Sequence, residues 1–249
     1  MKITFIRGGP ALLVEENECN LVVADTHFGI EADLSSRGLH FKSHSSERLE
    51  RLMQTIEQAD PDNLILLGDI KHSIPSLTRQ EFTEMPKILD TLRNRIPLIV
   101  FPGNHDIGLE RFVRKDELRP REGALVDGVA YLHGHMNPAP DLLGNLIILG
   151  HHHPLLSLHD EVGCALQEPA YLRSTLVSQD GTHNGAGSGT TRLLFMPAFN
   201  ELAGYDILRI VKEPFSPLSR GMNTADAEIL LADGTFIGPV SSVERDEDD

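Results

Sequence analysis

The chain has 249 residues, 40% of them hydrophobic with no Trp, and 37 acids against 22 bases give a net charge of -15. That length suits one domain with an aliphatic core, since single cores run to roughly 250 residues. No apolar run nears the ~18 residues of a membrane span, two distant cysteines, Cys19 and Cys164, exclude a disulfide framework or zinc pair, and the acidic balance argues against tight non-specific binding of nucleic acid over the whole surface.

The N-terminus reads MKITFIRGGP. Its apolar stretch is too short for a signal segment and is broken by Arg7, so the chain reads as cytoplasmic, with both cysteines as small buried hydrophobes in a reducing compartment. Leu21–Ala24 reads as a buried strand. The spacing of Leu49, Leu52, Met53 and Ile56 predicts a helix capped by Ser43 or Ser46 and stopped at Asp60-Pro61. Leu64–Leu67 is the next strand. Pro86 is placed to open a second helix with Ile88, Leu89 and Leu92 on its apolar face, and Pro97 precedes the strand Leu98–Phe101.

Two further strand-like runs follow, Val129–Leu132 and Leu146–Leu149. Late strands are expected at Arg192–Met196, Ile207–Val211, Glu228–Leu231 and Thr235–Ile237. Strands alternating with helices, then strands with few helices, point to an α/β layered sandwich. The Gly-, Ser- and Thr-rich stretch 178–190 reads as a flexible loop within a single domain spanning 1–240. Residues 241–249 read as a solvated acidic tail.

Each apolar run in the first 150 residues leads into a polar cluster. These are Asp25-Thr26-His27, Gly68-Asp69, Gly103-Asn104-His105-Asp106, His133-Gly134-His135 and Gly150-His151-His152-His153. In open α/β sheets, sites form beyond the carboxyl ends of strands, so five clusters at five strand ends can converge. Asp, His and Asn are oxygen and nitrogen ligands for divalent ions such as Mn, Fe or Zn. Alternation along a strand would let Asp25 and His27 grip one ion, and His151 and His153 have the same spacing. The clusters hold seven of the 12 histidines, which uniform scatter rarely produces.

The ordered set Asp-x-His, Gly-Asp, Gly-Asn-His-Asp, His, Gly-His-x-His resembles the calcineurin-like metallophosphoesterase family. Gly68–His72 and the later run Pro197–Gly204 resemble an archaeal and bacterial subgroup linked with DNA helicase and ligase genes in repair. The resemblance implies an αββα sandwich with the site at strand carboxyl ends. It also implies two metals sharing a bridging carboxylate and a bridging hydroxide. On that reading Asp25, His27 and His153 bind the first metal, Asp69 bridges, and Asn104, His133 and His151 bind the second. His135 is the less favoured alternative to His133, and His152 points away.

The same resemblance gives His105 the task of stabilising the transition state or protonating the leaving oxygen. Asp106 either fixes the His105 tautomer or caps a helix. Lys71, His72 and Asn200 are candidates to line the pocket, with Glu31 beside them. Lys71 or His72 could meet a substrate phosphate, and Asn200 could support the metal ligands. His40, His44, His159 and His183 read as ordinary surface or loop residues. The implied function is a two-metal phosphoesterase acting on phosphodiesters of nucleic acid or nucleotides, with manganese the expected metal. The alternatives are a small-molecule phosphatase, or a metal-binding scaffold in a repair assembly with a helicase or ligase partner.

Overall fold

The aliphatic runs do form strands, and the polar residues between them set the helices. The computed structural model describes residues 1–36, 38, 42–159, 165–177 and 189–243. In chain order the elements are β1 (Lys2–Phe5), β2 (Leu12–Glu15), β3 (Cys19–Ala24), α1 (Ile30–Ser36), α2 (Ser45–Ala59), β4 (Asn63–Leu67), α3 (Arg79–Arg93) and β5 (Leu98–Phe101). The second half adds β6 (Ala124–Val126), β7 (Val129–Leu132), β8 (Leu146–Leu149), β9 (Pro154–His159), β10 (Ala165–Thr175), β11 (Arg192–Phe195), β12 (Tyr205–Asp206), α4 (Ile207–Lys212), α5 (Pro217–Arg220), β13 (Glu228–Leu231) and β14 (Phe236–Pro239).

One sheet runs β1-β2-β3-β4-β5, with β3, β4 and β5 parallel. The other runs β12-β9-β10-β11-β8-β7-β6, with β13 and β14 continuing from β10. Its inner strands β7, β8 and β11 are parallel. Alternation along each strand divides the core into three layers. Leu21, Val23, Leu64, Leu66 and Val100 pack against Leu52 and Ile56 of α2 and Met85, Leu89 and Leu92 of α3. Their neighbours Val22, Ile65, Leu67 and Phe101 face Tyr131, Ile148, Tyr171 and Leu194 across the two sheets. The far side of the second sheet, with Leu132, Ile147, Leu149 and Phe195, is covered by Ile207, Ile210 and Leu218 from α4 and α5. The result is the expected αββα sandwich.

Several expected boundaries move. Pro86 lies inside α3, which starts at a capping box: Thr78 accepts from the Glu81 amide while Glu81 accepts from Thr78. That Thr-x-x-Glu signal outranks Pro as a helix start. Ile207–Val211 is helical, because the Asp206 side chain accepts from the Leu208 amide at 2.8 Å and caps α4. Helix α2 starts at Ser45, with His44 rather than Ser43 or Ser46 at the cap position. Strands β1, β2, β6, β9, β10 and β12 and helices α1 and α5 were not expected. Cys19 is half-buried. Residues 241–243 belong to the fold rather than to a tail, since Val243 packs against the core behind a 3-10 turn at Val240–Ser242. The expectations for 178–188, 244–249, His40, His183 and Cys164, and for the side chain of His159, lie outside the described residues. Among the described residues no helix is long and apolar enough to cross a membrane.

Candidate metal centre

Parallel pairing carries the chain past the strand ends into the site. The Asp25 amide donates to the Gly68 carbonyl at 3.1 Å and the His27 amide to that of Asp69 at 2.9 Å, so the segments after β3 and β4 stay side by side. From the other sheet, Phe199 donates to the Ala24 carbonyl at 2.8 Å. The backbone then turns sharply. Asp25, His27, Asp69, His151 and His153 have φ between +42° and +70°, five of the seven described non-glycine residues in the left-handed region. Asp and His tolerate that region better than bulkier residues, and its cost persists only where the surroundings over-determine it. Strand alternation therefore does not explain how Asp25 and His27 come together. Left-handed turns beyond the end of β3 do.

Two carboxylates are each split between an anchor and the centre. Asp69 Oδ1 accepts from the His105 amide at 2.8 Å, while Oδ2 lies 3.4 Å from His133 Nε2 and 3.9 Å from His27 Nε2. Asp25 Oδ2 accepts from the His151 amide at 3.0 Å, while Oδ1 lies 3.2 Å from His153 Nε2. His27 Nε2 and His153 Nε2 face each other at 3.3 Å. Asn104 Oδ1 sits 3.1 Å from His133 Nε2. Donor atoms within 4.8 Å of one another gather Asp25, His27, Asp69 and His153 in one group and Asp69, His133 and His151 in a second. The glycines are required by this closeness: a Cβ on Gly68 would run into the His133 ring, and one on Gly103 into the Asp69 carboxylate.

This donor set fits divalent ions. Asp25 Oδ1 is buried with no hydrogen-bond partner, although a buried carboxylate oxygen ordinarily has one. Two imidazole nitrogens meeting beside it leave the same space for a cation, and mixed nitrogen and oxygen donors suit Mn, Fe or Zn.

A family model described as calcineurin-like phosphoesterase matches residues 21–173. The chain belongs to the calcineurin-like phosphoesterase family. It is a metal-dependent phosphoester hydrolase, and its His and Asp groups are compatible with a dinuclear divalent-metal site. Among solved structures it is similar to the nuclease MPE of Pseudomonas putida, at 18% identity and a TM-score of 0.52, over 96% of this chain and 99% of that one. It is also similar to Yfce, a phosphoesterase from E. coli, at 14% identity and a TM-score of 0.37, over 57% of this chain and 73% of that one.

In this phosphoesterase the imidazoles are aimed by what lies behind them. His133 Nδ1 donates to the Leu67 carbonyl at 3.2 Å, which turns Nε2 to the centre. His105 Nδ1 donates to the His72 carbonyl, and its Nε2 lies 3.9 Å from Asp69 Oδ2. These tautomers are assigned from the partners. Burial and the His153 ring hold His27 well below its ordinary value, and burial beside His133 takes His151 down to about 2. Neutral imidazoles are the form that binds metal. Burial opposes the charged form of His133, but Asp69 and Asp25 outweigh it and push its imidazole up to about 9 in the metal-free protein.

Other expected residues take different places. Asp106 neither meets the His105 ring nor caps a helix. Its Oδ1 accepts from the amides of Ile70 and Lys71 and its Oδ2 from that of Gly103, which ties the loops after β4 and β5 together. Lys71 does not reach towards substrate: it is buried, and Nζ donates to the Ser73 and His105 carbonyls. Glu31 is buried against Arg48 rather than lining the pocket. Asn200 braces the first motif, donating to the carbonyls of Thr26 and His27. His135 is half-buried beside His133 but stands outside the Asp69 group. His152 points away, its Nε2 within 2.8 Å of Ser216 Oγ. His72 reaches the site, its ring beside His27 and His105. Sequence reading missed Glu81, whose buried carboxylate accepts from the amides of His72, Ser73 and Thr78. The Thr78-x-x-Glu81 box was the signal that could have found it.

Proposed function

We propose that this hydrolase works with two divalent ions and cleaves phosphodiesters of nucleic acids or nucleotides. The observation that carries the proposal is the sharing of Asp69 between the two donor groups, the arrangement of a paired site rather than of a single ion. Two ions held there would clamp phosphoryl oxygens and acidify a water for in-line displacement. The chain's own residues supply the rest. The His105 amide fixes Asp69, and His105 Nε2 faces the centre from a position where it can steady developing charge or give a proton to the departing oxygen.

The diester reading is supported by the shape around His105. A cleft of about 610 Å³ runs from His72 and His105 past Asp33 and Ser73 to Leu77. A second, of about 490 Å³, shares Ser76, Leu77 and Thr78 with it and continues to Phe82, Arg79 and Arg111. Exposed Phe82 offers a stacking face and the arginines offer phosphate contacts, which suits a substrate with groups on both sides of phosphorus. MPE of Pseudomonas putida is a nuclease, and at 18% identity the likeness to it carries the fold alone. Manganese is the metal proposed, with Fe or Zn as alternatives that the mixed imidazole and carboxylate donors also suit. Association with a helicase or ligase extends from the subgroup resemblance, and a cytoplasmic place from the reading of Cys19 and Cys164 as thiols of a reducing compartment.

The net charge of -15 favours a second reading, a phosphatase of small molecules. A hydrolysis screen with added Mn separates the two, comparing aryl monoesters, aryl diesters, cyclic nucleotides and single-stranded DNA. Cleavage of diesters and DNA is the expected result. Turnover confined to monoesters rejects the diester reading, and no turnover in a protein holding two ions rejects catalysis.

A further inference from the structure

His72 touches two functional imidazoles in two different ways. Its ring Nδ1 lies 3.3 Å from Nδ1 of His27, and its backbone carbonyl receives Nδ1 of His105. His133 shows the usual device of the site, an Nδ1 held by a backbone carbonyl. His27 alone among these three has a second imidazole in that place. Because His27 Nε2 faces His153 and Asp69, its proton belongs on Nδ1, where His72 Nδ1 must accept it. The proton of His72 then lies on Nε2, which faces Asp33 Oδ2 at 3.7 Å.

We infer that His72 is a positioning residue acting on both rings. Its own ring keeps the His27 proton on Nδ1, so that Nε2 is bare towards the Asp69 centre. Its carbonyl holds His105 Nδ1–H, so that Nε2 is aimed at the centre as the atom that takes up and delivers the catalytic proton. The support behind it is rigid. The His72 amide donates to Glu81 Oε1 at 3.0 Å and lies 3.2 Å from the Phe28 carbonyl, so the start of α3 fixes where the His72 backbone stands. His27, His72 and His105 also lie close enough to hold an ion of their own. A metal there would need Nδ1 of His27 while Nε2 serves the first group, which would demand a doubly deprotonated ring. The hydrogen-bond reading needs only neutral imidazoles. Removing the partner behind a metal-bound histidine typically costs about 10–100-fold in affinity or activity.

The inference rests on the proposed metal role of His27 and the proposed proton-handling role of His105, but its test does not depend on turnover. Long-range ¹⁵N spectra of the chelator-treated full chain should show His27 and His105 protonated at Nδ1. His72→Ala should leave His105 unchanged, because the carbonyl remains, and should let His27 populate both tautomers. With Mn(II) alone, calorimetry should show one of two ions weakened about 10–100-fold, while His72→Asn, which restores an acceptor, should recover most of that loss. A His27 tautomer and Mn affinity untouched by His72→Ala would overturn the inference. So would a third ion in the wild-type protein that disappears in the variant. If the tautomers behave as expected and no phosphoester is cleaved, the functional reading fails while the role of His72 stands.

Discussion

The backbone amide of His105 holds Oδ1 of Asp69 at 2.8 Å, which leaves Oδ2 as the oxygen facing His133 and His27 at the centre. Asp69→Asn keeps the shape but removes the charge that both donor groups share. Metal analysis should show loss of bound ions, and hydrolysis should fall by on the order of a thousandfold or more. Two ions still bound with full turnover would refute the shared role.

His105 touches the centre without belonging to either Asp69 group. His105→Ala should keep both ions. On an ester with a poor leaving group its kcat should drop about 10²–10⁴-fold, with a smaller loss on an activated aryl ester. An equal loss on both would point to positioning instead of proton transfer.

Asp106 offers a stability test. Three amides from two loops converge on its buried carboxylate. Leaving buried donors unpaired costs about 1–3 kcal/mol each. Asp106→Ala should therefore lower unfolding free energy in urea by several kcal/mol, and should weaken metal binding because Gly103 and Ile70 frame Asn104 and Asp69. An unchanged urea midpoint would show that the tie is dispensable.

Metal should also stabilise the fold. Saturation at about a hundred times Kd adds about 2.7 kcal/mol, which for a chain of this size raises Tm by on the order of 5–10 °C. Binding must displace the proton that Asp69 and Asp25 keep on His133, so the shift should shrink as pH falls below about 9. Scanning calorimetry with Mn and with chelator, at two pH values, measures both effects.

Away from the site, Glu117 carries an acid-sensitive contribution. Burial raises its carboxyl, but Arg93, bonded at 2.6 Å, and the Arg114 amide outweigh that and hold it below the usual value. A lowered folded pKa stabilises above the unfolded value, about 4.3, and the gain is lost as pH falls through the folded one. Glu117→Gln should therefore lower Tm at neutral pH and narrow the gap in Tm between neutral and acid conditions.

The sequence made the centre legible because its donors follow apolar runs, and a run such as LILL before Gly68-Asp69 marks both a strand and its end. The path by which donors meet was not legible. Asp25 and His27 share a direction through left-handed turns, and nothing in Asp-Thr-His announces a positive φ. Partnerships across long separations were equally hidden. Asp106 beside His105 reads as its partner, yet its bonds go to Gly103 and across to Ile70 and Lys71. Local signals that were present but under-read, Thr78-x-x-Glu81 and the cap at Asp206, account for the shifted helices.

The brace that Asn200 and Phe199 place on Thr26, His27 and Ala24 has a consequence for biosynthesis. Every proposed metal donor has been synthesised by residue 153, but the segment that fastens the first motif is made more than forty residues later. A nascent chain paused between those points carries all the proposed donors without their fastening, so firm holding of the proposed metal ions would be a late acquisition, gained once β11 has docked beside β8.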